Sequence, residues 1–246
     1  MKIPFRLKVF LSHLGISLLV ALCSLFLVFQ VWHPAPLQKA VGVTHIFLML
    51  LAIDVVVGPL LSLLVASSKE KKTLKFDLAV ICLLQIGAYL YGMHSIAVSR
   101  PVYLAFDRIR FELVQADSVV RNAGKEIAAA YRSNPVFAPQ WLAVRPYRDA
   151  AEQSQRTFTE LQTGVSPAMQ ADLYQSLDEA WPEIVKNRHD LDELLQYNSA
   201  QDRQNILQHF PEADGYLPLK GPAEDAVVLL NSKEREILGV VDLRPW

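Results

Sequence analysis

Long apolar runs fill the first part of the chain, and shorter runs mixed with polar residues fill the rest. The long runs cover residues 9–32, 41–66 and 78–98. Each reaches the roughly 20 residues that a helix needs to cross the hydrocarbon layer of a bilayer. Because backbone polar groups cannot stay unpaired in lipid, this pattern predicts a membrane protein whose residues 1–98 form a three-helix transmembrane domain.

The first run follows a basic start, as the apolar region of a secretory signal does. A signal's apolar region is only about 7–15 residues long, however, and the run over 9–32 is much longer. Residues 33–36 that follow it offer no small-residue cleavage site. We therefore expect an uncleaved helix.

Residues 99–246 have the mixed pattern that is typical of a folded α+β domain. A helical pattern runs over about 149–210, with breaks at 164–167 and at Trp181-Pro182, and a further helix is expected over 117–131 with Asp117 as its N-cap. The strands predicted by alternation and turn residues cover 102–106, 109–114, 140–145, 215–220, 226–231 and 236–243. The fold class is thus three transmembrane helices followed by an α+β domain with strands at both ends and helices between. These two groups of strands could pair into one antiparallel sheet, which the pattern does not decide.

Charge is divided between the two parts of the chain. Residues 1–98 hold 8 Lys and Arg and 3 Asp and Glu, a net +5, whereas residues 99–246 hold 16 and 22, a net −6. The bases of the first part lie mainly before the first run and between the second and third, whereas the loop between the first two runs has only Lys39. The positive-inside rule then places the N-terminus in the cytoplasm and residues 99–246 outside, which in the inner membrane of a bacterium is the periplasm. The acidic domain has no basic tract, so no nucleic-acid partner is expected.

Asp54 is the single acid within the apolar runs, near the middle of the second. A carboxylate at that depth costs about 2.5–3.5 kcal/mol on insertion scales, so it is expected to face a partner group and not lipid. Gln85 is the nearest candidate by depth, and His13 and His45 lie closer to opposite membrane faces. Two interpretations stay open: a protonated Asp54 that locks the helices together, or a carboxylate that receives a polar group of a partner helix or a proton.

Gly58 and Pro59 follow Asp54 within the same run. Proline removes a backbone hydrogen bond, so a kink is expected in the second helix. That kink could open a groove for another helix, or it could be only a packing feature.

No catalytic signature is recognisable, and no catalytic residue, metal ligand or cofactor is predicted. The chain lacks a nucleophile elbow, a zinc-protease motif and a glycine-rich phosphate loop. His189 with Asp190 and Asp192 could be a metal cluster, but such residues on a polar helix are more often a solvated face.

Several short segments resemble the type IV pilin accessory proteins of the TfpX/TfpZ family, which includes a FimB-type protein. The resemblance extends over essentially the whole chain, is strongest in residues 34–101, and is thin over 117–210. The segments are 34–37 (PAPL), 42–47 (GVTHIF), 54–55 with 58–61, 72–78 (KTLKFDL) around Asp77, 100–101, 216–219 (YLPL) with Tyr216 and Pro218, Gly221, and Pro245-Trp246.

The resemblance implies an inner-membrane factor without enzymatic activity that serves a cognate type IV pilin. Such a factor would promote pilin stability or assembly into the pilus by binding the pilin helix, the pilin head, or both. A pilin waits in the membrane as one apolar helix with a charged N-terminus and a buried acid. We therefore expect Asp54, with His45 and Gln85, to line a helix-binding face beside Gly58 and Pro59. Membrane lipids and inner-membrane components of pilus assembly are further expected partners.

A membrane-anchored periplasmic enzyme or a sensor module is the alternative. An enzyme would need a nucleophile–base pair or a metal set, which the sequence does not display. A sensor would need a cytoplasmic output domain, for which the short segments at residues 1–8 and 67–75 leave almost no room.

Overall fold

The structure is a computed structural model that describes residues 4–68 and 71–246. Lys2, Lys69 and Glu70, which contribute to the charge argument above, lie outside the described residues. The chain divides into two compact units. The first comprises Met1–Val31 and Val43–Val98, and the second comprises Trp32–Gly42 and Ser99–Trp246. The short loop between the first two apolar runs therefore folds with the second unit.

The first unit is built from long apolar helices. Helix α1 (Phe5–Phe26) continues as a π-helical turn over Leu27–Trp32. After the short helix α2 (Leu37–Val41) of the second unit come α3 (Val43–Ala52), a π-helical turn (Ile53–Val57), α4 (Gly58–Ser68) and α5 (Lys71–Val98). Among the described residues, three stretches are long and apolar enough to cross a membrane, namely Phe5–Trp32, Val43–Ala66 and Thr73–Val98. The prediction of three long apolar helices is confirmed.

Within this unit α1 packs on α4, and α5 packs on both α3 and α4. Phe29 meets Phe47 edge to face, with ring centroids 5.4 Å apart. Gly92 allows α5 to approach α3 closely, since a Cβ atom there would lie 2.7 Å from Leu50. Few of the apolar side chains are buried, and most of them face outward.

One sheet organises the second unit. Its strands in chain order are β1 (Pro101–Asp107), β2 (Arg110–Gln115), β3 (Gln140–Val144), β4 (Tyr174–Gln175), β5 (Gly215–Lys220), β6 (Ala226–Asn231) and β7 (Glu236–Val241). The order across the sheet is β4-β3-β1-β2-β5-β6-β7. The predicted hairpin of β1 and β2, the strand β3 and the three late strands are confirmed.

The early and late strands do join one sheet, but that sheet is mixed. Strand β2 pairs with β5 in parallel, and β1 pairs with β3 in parallel. The remaining neighbours are antiparallel. A fully antiparallel sheet is therefore not formed. Strand β3 begins at the end of the sheet where β1 begins, and β5 begins at the opposite end, where β2 begins.

Side chains alternate between two covered faces of the sheet. One face, with Leu104 and Val228, packs on α7 (Leu177–Asn187) and on Leu37 and Ala40 of α2. The opposite face is covered by irregular and helical segments. These are α8 (Ala200–Leu207) and 3₁₀ turns at Ala129–Tyr131, Pro167–Met169, Ala171–Leu173 and Leu191–Gln196. Burial on both faces explains why β6 is apolar from Ala226 to Leu230.

The helix predicted over 117–131 is wrong. Only Ala129–Tyr131 form a 3₁₀ turn, and Gly124 adopts a left-handed φ of 81°. The N–H of Val120 donates to the carbonyl of Met169 at 2.7 Å. Tertiary pairing of this β-branched stretch therefore replaces the helical hydrogen bonds that the local pattern favoured.

The break predicted at Trp181-Pro182 is also wrong, whereas the one after α6 (Ala150–Thr163) is confirmed by the left-handed Gly164. Helix α7 continues through Pro182. The proline leaves the carbonyl of Asp178 without its helical donor, and the guanidinium of Arg235 donates to that oxygen at 3.3 Å. Burial of Trp181 and Ile184 on the sheet holds the rest of the helix in place.

Candidate functional site

A groove of about 490 Å³ lies among the long apolar helices of the first unit. Its wall is mostly apolar and is formed by α1, α3, α4, α5 and the π-helical turn. The polar side chains that interrupt the wall are His13, Ser17, Asp54, Ser62, Gln85 and Tyr89. A groove of this kind fits an apolar ligand that also presents polar groups at defined positions.

Asp54 and Gln85 both lie on this wall. The contact is made by the backbone, since the amide Nε2 of Gln85 donates to the main-chain carbonyl of Asp54 at 3.3 Å. The carboxylate atom Oδ2 of Asp54 and the amide atom Oε1 of Gln85 are both buried, and no described residue donates a hydrogen bond to either. The groove therefore presents two acceptors that lack donors, an expensive arrangement in a mostly apolar wall.

Gly58 and Pro59 are buried beside this pair, although neither lines the groove. A Cβ atom at Gly58 would lie 1.8 Å from Nε2 of Gln85, so only glycine leaves room for this amide. Gly58 follows directly on the π-helical turn that carries Asp54, and Pro59 is the next residue. A π-helical turn thus precedes Gly58 and Pro59, and such turns frequently occur at functional sites in helices.

His45 does not join the groove, because it lies exposed on α3. Nine residues separate it from Asp54, and at 100° per residue that spacing turns the side chain to the other side of the helix. His13 of α1 lines the groove instead, with Nδ1 2.6 Å from the hydroxyl of Ser62. The sequence places His13 near one membrane face but does not assign it to the site, because its contact with Ser62 joins two different apolar runs.

A second polar contact between helices lies in the same unit. The hydroxyl groups of Ser24 and Tyr89 lie 2.6 Å apart, and Tyr89 is on the groove wall. Asp77, a family-motif position, lies half-buried on α5 and does not line the groove. Its part in the resemblance is therefore separate from the groove.

Three distant motif segments converge in the second unit. The carbonyl of Ala40 accepts hydrogen bonds from the N–H groups of Ala223 at 2.9 Å and Glu224 at 3.3 Å. Gly221 begins this turn, and a Cβ atom there would lie 2.1 Å from the carbonyl of Glu224 and 2.9 Å from that of Ala40. Trp246 donates from Nε1 to the carboxylate of Asp225 at 2.8 Å.

Charged groups reinforce this junction. The guanidinium of Arg244 donates to the main-chain carbonyl of Asp225, to Glu224 at 2.8 Å and to Asp242 at 2.7 Å. Asp242 also binds the ammonium of Lys39 at 2.6 Å, and this hydrogen bond and its Coulomb attraction raise the pKa of Lys39 above its ordinary value. We call residues 37–42, 221–225 and 242–246 the loop junction.

Tyr216 and Pro218 have structural positions on β5. Both are buried, and burial raises the pKa of Tyr216 to about 12. The backbone of Tyr216 exchanges hydrogen bonds with His189, at 2.8 and 3.0 Å. These two motif positions therefore hold the core of the sheet and offer no reactive surface.

The residues considered for a metal have other partners. His189 binds Glu193 at 3.1 Å, and Asp192 binds Arg203 at 2.5 Å. Asp190 caps the 3₁₀ turn that follows it. Within residues 4–68 and 71–246, no three His, Cys, Asp or Glu side chains are grouped to hold a metal ion.

The two units define a class of protein in which apolar helices of membrane-spanning length are joined to a mixed α+β domain. Comparison with known sequences identifies the family. Residues 2–42 match the family model described as fimbrial assembly protein FimB. This match covers α1 and the loop that enters the second unit.

Three fimbrial assembly proteins of Dichelobacter nodosus are similar to this chain. The protein of serogroup I is 28% identical over 203 residues, and that of serogroup E1 is 27% identical over 203 residues, in each case 82% of this chain and 79% of the relative. The protein of serogroups C1 and C2 is 36% identical over 104 residues, 42% of this chain and 79% of the relative. The chain belongs to the FimB family of fimbrial assembly proteins. No solved structure matches it.

Proposed function

We propose that this protein is an inner-membrane accessory factor for a type IV pilin, and that it holds the pilin's apolar helix in the groove beside Asp54 during pilus assembly. The role is one of binding and not of catalysis. Membership of the fimbrial assembly family supports the process. The observation that carries the binding site is the pair of buried acceptors on Asp54 and Gln85, neither of which receives a hydrogen bond from the described part of the chain.

Three membrane spans with the N-terminus in the cytoplasm form the proposed topology. In that topology the loop over residues 33–42 and the domain over residues 99–246 lie on the same, periplasmic side. Their packing in one unit, through the carbonyl of Ala40, is what this arrangement requires. The bases Arg6, Lys8 and Lys75, near the opposite ends of the helices, support it further.

Lipid accounts for the outward-facing apolar side chains of the first unit. Water would leave a contiguous apolar surface far larger than soluble proteins tolerate. Contact of the same apolar surface with lipid has no free-energy cost. A second helix is then stabilised by hydrogen bonds to the polar groups on the groove wall. A pilin helix that brings a hydrogen-bond donor or an amino group to the depth of Asp54 would satisfy its Oδ2 atom.

Disulfide crosslinking tests the groove with a control that the chain itself provides. Cys82 lines the groove, whereas Cys23 is exposed elsewhere on α1. We expect a variant that keeps only Cys82 (Cys23→Ser) to crosslink with cysteines placed along the pilin helix. The variant that keeps only Cys23 (Cys82→Ser) should not crosslink. Equal crosslinking of both, or of neither, would refute binding in the groove.

Substitution of Asp54 tests the chemistry of the site. Asp54→Leu removes the acceptor, and we expect it to reduce surface pili and crosslinking through Cys82 at unchanged abundance of the protein. Ile53→Leu is the matched control, because Ile53 is exposed one position earlier and does not line the groove. Wild-type piliation and crosslinking in the Asp54→Leu variant would rule out the proposed role of the carboxylate.

A further inference from the structure

Helix α6 turns its polar face toward its own domain and its apolar face outward. Arg156 is buried, with 7% of its surface exposed, whereas Phe158 is 61% and Leu161 80% exposed. This is the reverse of the usual surface helix, whose apolar stripe faces the core. Apolar side chains that lie together on an exposed helix face are a feature of protein–protein contacts.

Ionic contacts fix the orientation of α6. Glu152 accepts hydrogen bonds from Arg145 at 2.6 Å and from Arg156 at 2.9 Å. Arg156 also donates to the main-chain carbonyl of Arg145 at 3.0 Å and stacks over Tyr147, 5.2 Å from the ring centroid. Rotation of the helix to bury Phe158 would break all of these contacts, so the apolar face stays outward.

The exposed side chains of this face form what we call the α6 stripe, namely Ala151, Ser154, Phe158 and Leu161. Its small residues lie in the first half of the helix and its large residues in the second. None of the four is charged, and the exposed flanking residues Gln155, Thr157 and Gln162 are uncharged too. The charged residues of the helix, Glu152, Arg156 and Glu160, lie off the stripe, and Glu152 and Arg156 are engaged by its own domain.

We propose that the α6 stripe packs against the α6 stripe of a second copy of this chain, with the two helices antiparallel. In that arrangement Leu161 lies against Ala151 of the second copy, and Phe158 lies against Ser154 of the second copy. Each large side chain meets a small one, as close packing of two helices requires. The two-fold axis relates the two copies and limits the assembly to a dimer. The antiparallel helix dipoles attract each other.

The neutrality of the stripe favours a second copy over a charged partner. A surface that must meet an identical surface cannot carry a net charge without repelling itself, and this stripe carries none. A partner recognised by charge would leave acidic or basic groups along the rim, as electrostatically steered interfaces do. The rim here is glutamine and threonine.

The contact is small. An α-helix of 14 residues is about 21 Å long, and one such pair falls below the roughly 1,200 Å² of a stable interface. The isolated domains would therefore associate weakly. Confinement of both copies to one membrane, which rests on the proposed topology, raises their effective concentration and favours the dimer. Pilin takes no part, so the dimer can be tested in its absence.

Disulfide trapping of the full chain in membrane vesicles without pilin tests the register. In a background of Cys23→Ser and Cys82→Ser, differently tagged Ala151→Cys and Leu161→Cys chains are produced together. Close approach of the two positions predicts mixed disulfide dimers after mild oxidation. Each variant alone should give at least fivefold less dimer. No mixed dimer, or equal dimer from each variant alone, would overturn the antiparallel arrangement.

Two further measurements make the outcome decisive. Adding Phe158→Asp to both chains should reduce the mixed dimer at least fivefold, whereas Phe137→Asp, at another exposed phenylalanine, should leave it unchanged. Equal effects of both substitutions would overturn the assignment to the stripe. A photo-crosslinker at Leu161, with pilin now present, should capture a product of twice the chain's mass. Capture of pilin or lipid instead would overturn self-association.

Discussion

The carbonyl oxygen of Ala40 accepts a hydrogen bond from the N–H of Ala223 at 2.9 Å. This contact joins a loop between two apolar helices to a turn between two late strands. Leu37 and Ala40 are buried in the same core cluster as Leu217 and Val228. The loop is therefore a structural part of the α+β domain, and the following predictions begin there.

Leu37→Ala should destabilise the α+β domain by about 2–5 kcal/mol, the usual cost of removing a buried leucine. Ile46→Ala, at an exposed position on α3, is the control and should change little. Thermal unfolding of the purified full chain, followed by far-UV circular dichroism, measures both. Equal stability of the two variants would show that the loop does not contribute to the core.

Gly221→Ala should also destabilise the domain, by about 1–3 kcal/mol, because the backbone must move to admit the side chain. The new Cβ atom would lie 2.1 Å from the carbonyl of Glu224. Gly87→Ala makes the same chemical change on α5, where nothing lies within 4 Å. Limited proteolysis should cut the Gly221→Ala variant faster in the α+β domain and leave Gly87→Ala as resistant as the wild type.

Gly58→Ala should disturb the groove through Gln85. The added Cβ atom would lie 1.8 Å from Nε2, so the amide must leave the carbonyl of Asp54. We expect reduced pilin crosslinking through Cys82. The double variant Gly58→Ala with Gln85→Ala should crosslink as well as Gln85→Ala alone, because the shorter side chain removes the clash. An additive loss in the double variant would mean that the two residues act independently.

Glu152 should make the stability of the α+β domain depend on pH. Hydrogen bonds from Arg145, then from Arg148 and Arg156, hold its pKa far below the ordinary value of 4.5. A lowered folded-state pKa contributes stability that is present above the unfolded value and is lost as pH falls below it.

Glu152→Gln should therefore be less stable than the wild type at pH 7, by about 1.5–3 kcal/mol. The difference should shrink as the pH falls below about 4.5, the unfolded value. Chemical denaturation at several pH values gives this difference directly. Glu126→Gln, at an exposed glutamate, should show no such trend.

Much of the fold follows from local pattern. The turn at Asp107-Arg108 and the turn around Ser232-Lys233 lie between apolar β-rich runs, and both hairpins form as predicted. The three apolar runs likewise form long helices. What local pattern could not supply is the parallel pairing of β2 with β5, since nothing near Phe111 specifies Leu219 as its neighbour.

The candidate site was predictable to a similar extent. An acid at mid-depth in an apolar run points to Asp54, and matching depth points to Gln85. The angular position of each side chain depends on helix rotation and on the π-helical turn, so His45 and His13 could not be ranked from the sequence. The position of Pro182 inside a helix could not be predicted either. Helix α7 accommodates this proline because the distant Arg235 donates to the carbonyl of Asp178.

The packing of residues 32–42 on late strands also implies an order of folding. Residues 32–42 leave the ribosome well before β5 and β6, on whose side chains Leu37 and Ala40 pack. Until those strands exist, the loop has no partner for its apolar residues or for the carbonyl of Ala40. A chain that stops before residue 226 would therefore display an open core to proteases, and completion of the late strands is the event that shields it.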